Sequence, residues 1–566
     1  MPIQIGTACR YLCLLLFSAL LPACSTKGPD LIFFGGPVLT VNNQDQVFEA
    51  LAVEDGLILA VGSDAEILAL QTGHTELIDL QGKTLMPGFI AAHEHPTLTA
   101  VFNSAIDLSG FTHKHNREVW DALRAAVSDA RQDEWIYASG LDPILTDDLE
   151  IPTREQLDEI APNNPLVVIS QTLHSFWANS RAFAEAGITG STPDPGPGAY
   201  YERDDSGELT GFVAESLAAA PLLKPLKSPW GLLGRYEHAL DQLQVNGFTS
   251  VASLGHNVPP LMARFAASNN LRPRIRQFFY LVEEELNYLP NSPDSDSDYF
   301  RVLGVKLWHD GSPYTGSMYT SAPYLDSTLN RTLGIRAGTY GAPMFSAEAL
   351  REKVRKYTDA GWQVAIHSQG DASLREVTQT LGTLGELRGK LPVIRLEHAV
   401  ELPRDQIPAL AQQNTTVSFH INHILYYGDA LQQSIIGKDM AQQVLPVRSA
   451  FSQGMRPTLH ADSPMFPAQP FSLMQTAITR TTRSGLTLNP QEAIDIQQAV
   501  RAMTINGAYQ LRIEDEAGSL EPGKWADLLI VDHNPYETAT EELDQIKVMG
   551  VFLHGRRQSG ALSDQM

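Results

Sequence analysis

An alternation of two kinds of segment across the middle of the chain limits its fold most. NPLVVIS (164–170), GFTSVASL (247–254), RVLGVKLWHDG (301–311), WQVAIHSQGD (362–371), PVIRLEHAV (392–400) and TTVSFHI (415–421) are short, apolar and rich in Val and Ile. Such runs read as strands buried on both faces, which parallel sheets require. Helical runs such as SAEALREKVRKYTDAG (346–361) and ASLREVTQTLGTLGELRG (372–389) lie between them. The pattern predicts an α/β fold, most simply a (β/α)8 TIM-type barrel.

The ends have another texture. DLIFFGGPVLTV, EALAVEDGLILAVGS and ELIDLQGKTLMPG alternate apolar and polar residues between Gly and Asp turns, as do GSLEPGKWADLLIVDHNP and IKVMGVFLHGRR. They predict a small β-sandwich domain built from both chain ends, 30–88 plus 508–558, around a barrel spanning 89–507. The interval from about 97 to 240 is too long for one βα unit and predicts an inserted lobe over the barrel mouth. PNSPDSDSD (290–298) reads as a polar loop.

All 3 cysteines fall in the first 24 residues, so no disulfide framework is available. MPIQIGTACR precedes the apolar run YLCLLLFSALL, which is too short to span a bilayer, and LPAC follows. The stretch resembles a bacterial lipoprotein signal of residues 1–23, which implies a lipid-carrying Cys24. Ser25 after it favours the outer membrane of a Gram-negative cell, facing the periplasm; an ordinary secretory signal is the alternative. A formal charge of −24 repels phosphate backbones and excludes nucleic acid as an expected partner. Oligomeric state is not legible.

Polar residues gather where the apolar runs end. PGFIAAHEHP carries His93 and His95, which share one side of a strand. Lys306 and Asp310 close the 301–311 run, His367 closes QVAIH, His398 closes VIRLEH, and Asp462 lies in RPTLHADSP. Barrel enzymes place their chemistry at the C-terminal ends of strands. Four imidazoles, an amine and a carboxylate therefore converge. Glu397 alternates to the other side from His398, which predicts a structural role.

Together PGFIAAHEH, VKLWHDGS, VAIHSQGD, RLEHA, HADSP and GSLEPGKWADLLIVDHNP resemble the amidohydrolase superfamily, and within it the YtcJ-like branch (amidohydrolase family 3), over residues 30–557. The resemblance implies zinc, or another divalent metal, as two ions: one on His93, His95 and Asp462, the other on His367 and His398. A carboxylated Lys306 bridges them, since an ammonium cannot be a ligand. It further implies hydrolysis of a small amide-type, N-acyl or N-formyl substrate by a metal-activated hydroxide, with Asp462 as general acid/base. His174, in the lobe, and His423 are implied substrate contacts. Trp308 and Tyr319 are candidate pocket residues, Glu215 a polar wall, and Asp310 a loop-holding or orienting residue. Two alternatives stay open: a mononuclear deaminase or cyclic-amide hydrolase, and a lipid-anchored periplasmic binding protein without turnover.

The chain departs from the branch at Ala91, where relatives carry an aspartate that orients ligands, and at SFHINH, where His420 and Ile421 replace a Gln-Pro pair. His309 and His460 add imidazoles near the expected site and read as pocket lining, with an altered substrate or a third, weaker metal position as the alternatives.

Overall fold

The computed structural model describes residues 28–196, 199–227, 229–255, 257–258, 273–288, 293, 297–385 and 392–559. The expected signal segment, Cys24 and most of the 290–298 loop lie outside the described residues.

Eight parallel strands form one sheet: β1 Phe89–Glu94, β2 Phe248–Leu254, β3 Arg276–Leu281, β4 Phe300–Trp308, β5 Gln363–Ser368, β6 Ile394–His398, β7 Thr415–Phe419 and β8 Thr458–Leu459. Each pairs with the next in sequence, as a (β/α)8 barrel demands. Among the described residues no strand pairing joins β8 back to β1, so the barrel keeps one seam.

β4 shows how the sequence divides its faces. Val305 and Leu307 pack outward into the large apolar cluster that includes Leu350 and Val354 of the helix Ala347–Asp359. That helix starts at Ser346, whose side chain accepts from the Ala349 N–H. Lys306 and Trp308 take the alternate positions and point inward. Gly304 sits where a Cβ would lie 2.1 Å from the Gln363 carbonyl, so only glycine allows β4 and β5 to approach this closely.

Leu166–Ser170, within the interval expected to form the lobe, lies there, paired parallel with Ile136–Leu141. The barrel strand β3, RQFFYL, has no counterpart among the runs picked out in the sequence. Burial on both faces marks any interior parallel strand, and both sheets contain one. β3 opens on Arg276 and Gln277, and its apolar part is aromatic rather than β-branched. The lobe sheet has six strands, ordered Tyr200–Arg203, Leu209–Ala214, Ser175–Ala178, Leu166–Ser170, Ile136–Leu141 and Ile106–Asp107.

Both chain ends build the sandwich. Leu528–Val531 pairs antiparallel with Thr84–Pro87, and Phe33, Leu51, Ile78, Leu85, Ile530 and Phe552 fill the space between its sheets. Residues just before this, Ala508, Leu511, Ile513 and Ala517, pack against Ile90, Leu254 and Phe278 of the barrel interior. Apolar side chains thereby close much of the base of the barrel, and the imidazoles collect at the other end.

Candidate metal centre

At the C-terminal end of the barrel, one carboxylate faces several imidazoles. Asp462 Oδ1 lies 3.2 Å from His93 Nε2 and 3.0 Å from His95 Nε2. Its Oδ2 lies 3.8 Å from His398 Nδ1 and 3.9 Å from His420 Nδ1. The His367 ring is 4.3 Å from that of His398, and the His460 ring stacks on His93 at 4.4 Å. His460 Nε2 is 3.3 Å from His398 Nδ1, while its Nδ1 is 2.8 Å from Ser418 Oγ. His93, His398, His460 and Asp462 each offer one ligand atom within 4.8 Å of all the others.

The electrostatics fit a bound cation. Burial alone would raise the Glu397 carboxyl, but Arg395 first and His93 next hold it at about 2. His93 Nδ1 is 2.6 Å from Glu397 Oε2, and donating to this carboxylate assigns the ring proton to Nδ1. The Nε2 lone pair of His93 then faces Asp462 Oδ1. Two acceptors at that distance in a buried site repel each other unless a cation lies against both. His93 Nε2, Asp462 Oδ1 and Lys306 Nζ have no hydrogen-bond partner among the described residues. Burial, the largest cause in each case, pushes His95, His367, His398 and His460 below the ordinary imidazole range, leaving the neutral form that binds metal. Neutral imidazoles with one ionised carboxylate form a donor set suited to a divalent metal.

Lys306 is 1 % exposed, and its Nζ lies 5.3 Å from the Trp308 ring centroid. Burial lowers its amine to about 8 against the opposing pull of Glu397 and Asp462. In the lobe, His174 Nδ1 bonds Glu215 Oε2 at 2.8 Å. Burial works against its charge, but Glu215 and then Asp462 raise it overall, which places the pair within electrostatic reach of the centre. His423 Nδ1 lies 2.6 Å from the Tyr314 hydroxyl, and its Nε2 has no partner among the described residues. His420 Nε2 is 2.9 Å from the Ala461 carbonyl, and its ring is 4.2 Å from that of His423.

Three expectations are corrected here. Glu397 does not turn away: His398 adopts φ +71°, which breaks strand alternation, and both side chains reach the centre. The carboxylate missing at Ala91, which packs in the outer apolar cluster, is matched by Glu397 as the group orienting His93. His460 is not lining but part of the converging set. His309 lies away from it, held by Ser373 Oγ at 2.9 Å and Glu376 Oε1 at 3.1 Å on the helical side of β4.

Asp310 accepts the backbone N–H groups of Tyr319, Gln369 and Gly370 and so fixes the loop after β5. Tyr319 contributes its backbone to that loop. Sequence reading gave no active role to Glu94 or Glu397. For Glu397 a signal existed: Arg and Glu two residues apart in a strand that is otherwise apolar mark a buried ion pair, seen as Arg395 Nε to Glu397 Oε1 at 2.9 Å.

Comparison with known proteins agrees with this geometry. The sequence model of the amidohydrolase family matches residues 76–557. An N-substituted formamide deformylase of Arthrobacter pascens is 27% identical over 548 residues, covering 94% of this chain and 98% of that protein. The putative amidohydrolase YtcJ of Bacillus subtilis is 24% identical over 550 residues, covering 93% and 98%. An uncharacterized metal-dependent hydrolase from Pyrococcus horikoshii shares the fold, with a TM-score of 0.73 at 23% identity over 90% of this chain and 99% of that one. Since the family match runs from the sandwich through every strand of the barrel, the chain belongs to the amidohydrolase family and is a metal-dependent hydrolase.

Proposed function

We propose that the enzyme hydrolyses the C–N bond of a small N-acyl or N-formyl amide, with Asp462 carrying the proton from water to the leaving nitrogen. The observation that carries this is the place of Asp462, whose Oδ1 lies 3.2 Å from His93 Nε2 and 3.0 Å from His95 Nε2 at the C-terminal end of the barrel. A carboxylate at that point can take a proton from water and return it to the leaving nitrogen within one turnover. The name of the Arthrobacter relative, a formamide deformylase, supports the N-formyl end of this range.

Metal, as zinc, supplies Lewis acidity to water and to the substrate carbonyl when bound. His93, His95 and Asp462 would hold one ion, and His367 and His398 a second. The buried Lys306 amine, lowered to about 8, is partly neutral near physiological pH. It can add CO2, losing one proton, to give a carbamate that would offer anionic oxygen ligands to the metal. His174, oriented by Glu215, would donate toward a substrate oxygen, and His423, set by Tyr314, would offer its Nε2 to substrate. Trp308 walls the Lys306 side.

A second reading rests on His460. Its place within one 4.8 Å set with His93, His398 and Asp462 suits a single ion, as in a mononuclear deaminase. Metal analysis of protein expressed with zinc and bicarbonate separates the two. About two equivalents, falling to one or none in Lys306→Ala, support the bridged pair. One equivalent that survives Lys306→Ala overturns it. Asp462→Asn should abolish hydrolysis across a panel of N-formyl and N-acyl amines while the fold is kept; unchanged turnover refutes the proton-carrier role.

Attachment to a membrane through lipid on Cys24, facing the periplasm, is a separate proposal carried by the LPAC sequence. Metabolic labelling with a radioactive fatty acid, lost in Cys24→Ala, tests it. Among the described residues no helix is long and apolar enough to cross a membrane.

A further inference from the structure

Glu94, the middle residue of H-E-H, is 1 % exposed, as buried as His93 beside it. Its two carboxylate oxygens are used separately. Oε1 accepts the Ala461 N–H at 3.2 Å, and Oε2 accepts the Ser463 N–H. These amides flank Asp462, whose φ of +59° lies in the left-handed region that residues with a Cβ seldom enter. A third bond returns across the same gap, from the His95 N–H to the Ser463 carbonyl at 3.1 Å. All three bonds cross the seam between β8 and β1, where strand pairing is missing among the described residues.

We propose that Glu94 is a positioning residue of the metal centre: by bridging the amides of Ala461 and Ser463 it holds Asp462 in its left-handed conformation, with the carboxylate against His93 and His95. The reach of the side chain does what an eighth strand pairing, β8 to β1, cannot, because an extended backbone at Asp462 would turn its carboxylate away. Glutamate fits on two counts. It offers two acceptors, one per amide, and its length spans the seam. The proposal rests on Asp462 being a ligand. It adds the reason that ligand stays in place.

The test is zinc affinity by chelator competition, with the absorption spectrum of the cobalt(II)-loaded protein as a readout of ligand geometry. Circular dichroism checks the fold. Glu94→Gln presents one acceptor and one NH2 group to two N–H donors, and Glu94→Asp is too short to reach both. Each should fold, bind zinc about 10–100-fold more weakly and shift the cobalt bands. A folded variant of either kind with wild-type affinity and spectrum overturns the proposal. Amide hydrogen exchange on the wild-type enzyme, zinc-loaded and zinc-stripped, needs no variant. Protected Ala461 and Ser463 amides in both states support the bridge, and exchange at free-loop rates overturns it. Wild-type protein that holds no zinc at all refutes the reading of the centre itself, a result distinct from wild-type binding that survives Glu94→Gln.

Discussion

Glu397→Gln tests the centre through stability and metal binding at once. Glu397 and Arg395 are both fully buried and 2.9 Å apart, and Glu397 also holds His93. A glutamine can accept from one of these neighbours but cannot neutralise the guanidinium. Removing one partner of a buried pair costs about 3–5 kcal/mol. With an unfolding entropy of roughly 2.1 cal/mol/K per residue, a chain this long changes by about 1 kcal/mol per degree near its midpoint, so Tm should fall about 3–5 °C. Zinc affinity should fall about 10–100-fold, since the ring proton of His93 is no longer pinned to Nδ1. Differential scanning calorimetry on zinc-stripped protein reads the first effect, and chelator competition the second. The double variant Arg395→Met/Glu397→Leu separates them: it should regain part of the lost stability, because no lone charge remains, yet bind zinc no better than Glu397→Gln. Zinc affinity equal to wild type in both variants would refute the assignment of Glu397 as the group that orients His93.

Other expectations follow from the same structure. Burial, then Asp371, pushes the Glu401 carboxyl up to about 8. The folded state therefore binds this proton more tightly than the unfolded chain, and stability falls as pH rises from about 4.5 to about 8. Glu401→Gln should leave Tm unchanged at pH 4.5 and raise it at pH 9, by an effect on the order of a few kcal/mol at most; equal Tm differences at both pH values would count against it. His309→Gln should keep full metal content, because His309 is bound to Ser373 and Glu376 rather than to the centre; loss of zinc would return it to the ligand set. Arg480 is fully buried and donates to the carbonyls of Val444, Leu445 and Leu488. Val444 keeps a second donor in Asn489 and Leu445 one in the Val447 N–H, so Arg480→Met strands the Leu488 carbonyl alone at a cost of about 1–3 kcal/mol, measured as a lower Tm with metal stoichiometry intact.

The barrel was legible because its strands are buried on both faces, which forces runs such as QVAIH and VIRLEH to be apolar until they end. A histidine, lysine or aspartate at such an end has no packing reason to be there. That argument alone found His93, His95, Lys306, His367, His398 and Asp462. It failed wherever direction mattered more than position. RQFFYL also went unseen as a barrel strand because it opens on Arg276 and Gln277 and its apolar part is aromatic rather than β-branched. Glu397 was placed on the wrong side because alternation assumes an extended backbone, and His398 at φ +71° is not extended. Asp462 at φ +59° breaks the same assumption two strands along, just after β8 and beside the seam. Both left-handed residues sit at the ends of short strands, where the ladder has stopped and no longer dictates φ. Side chains from β1 and β6 then set the geometry in its place. Glu94 bonds the amides around Asp462, and Glu397 bonds the ring of His93. In the triplet HEH and in the pair EH, the glutamate is therefore what allows a neighbouring or facing ligand to point inward, and a sequence pattern that counts only histidines overlooks half of what shapes the centre.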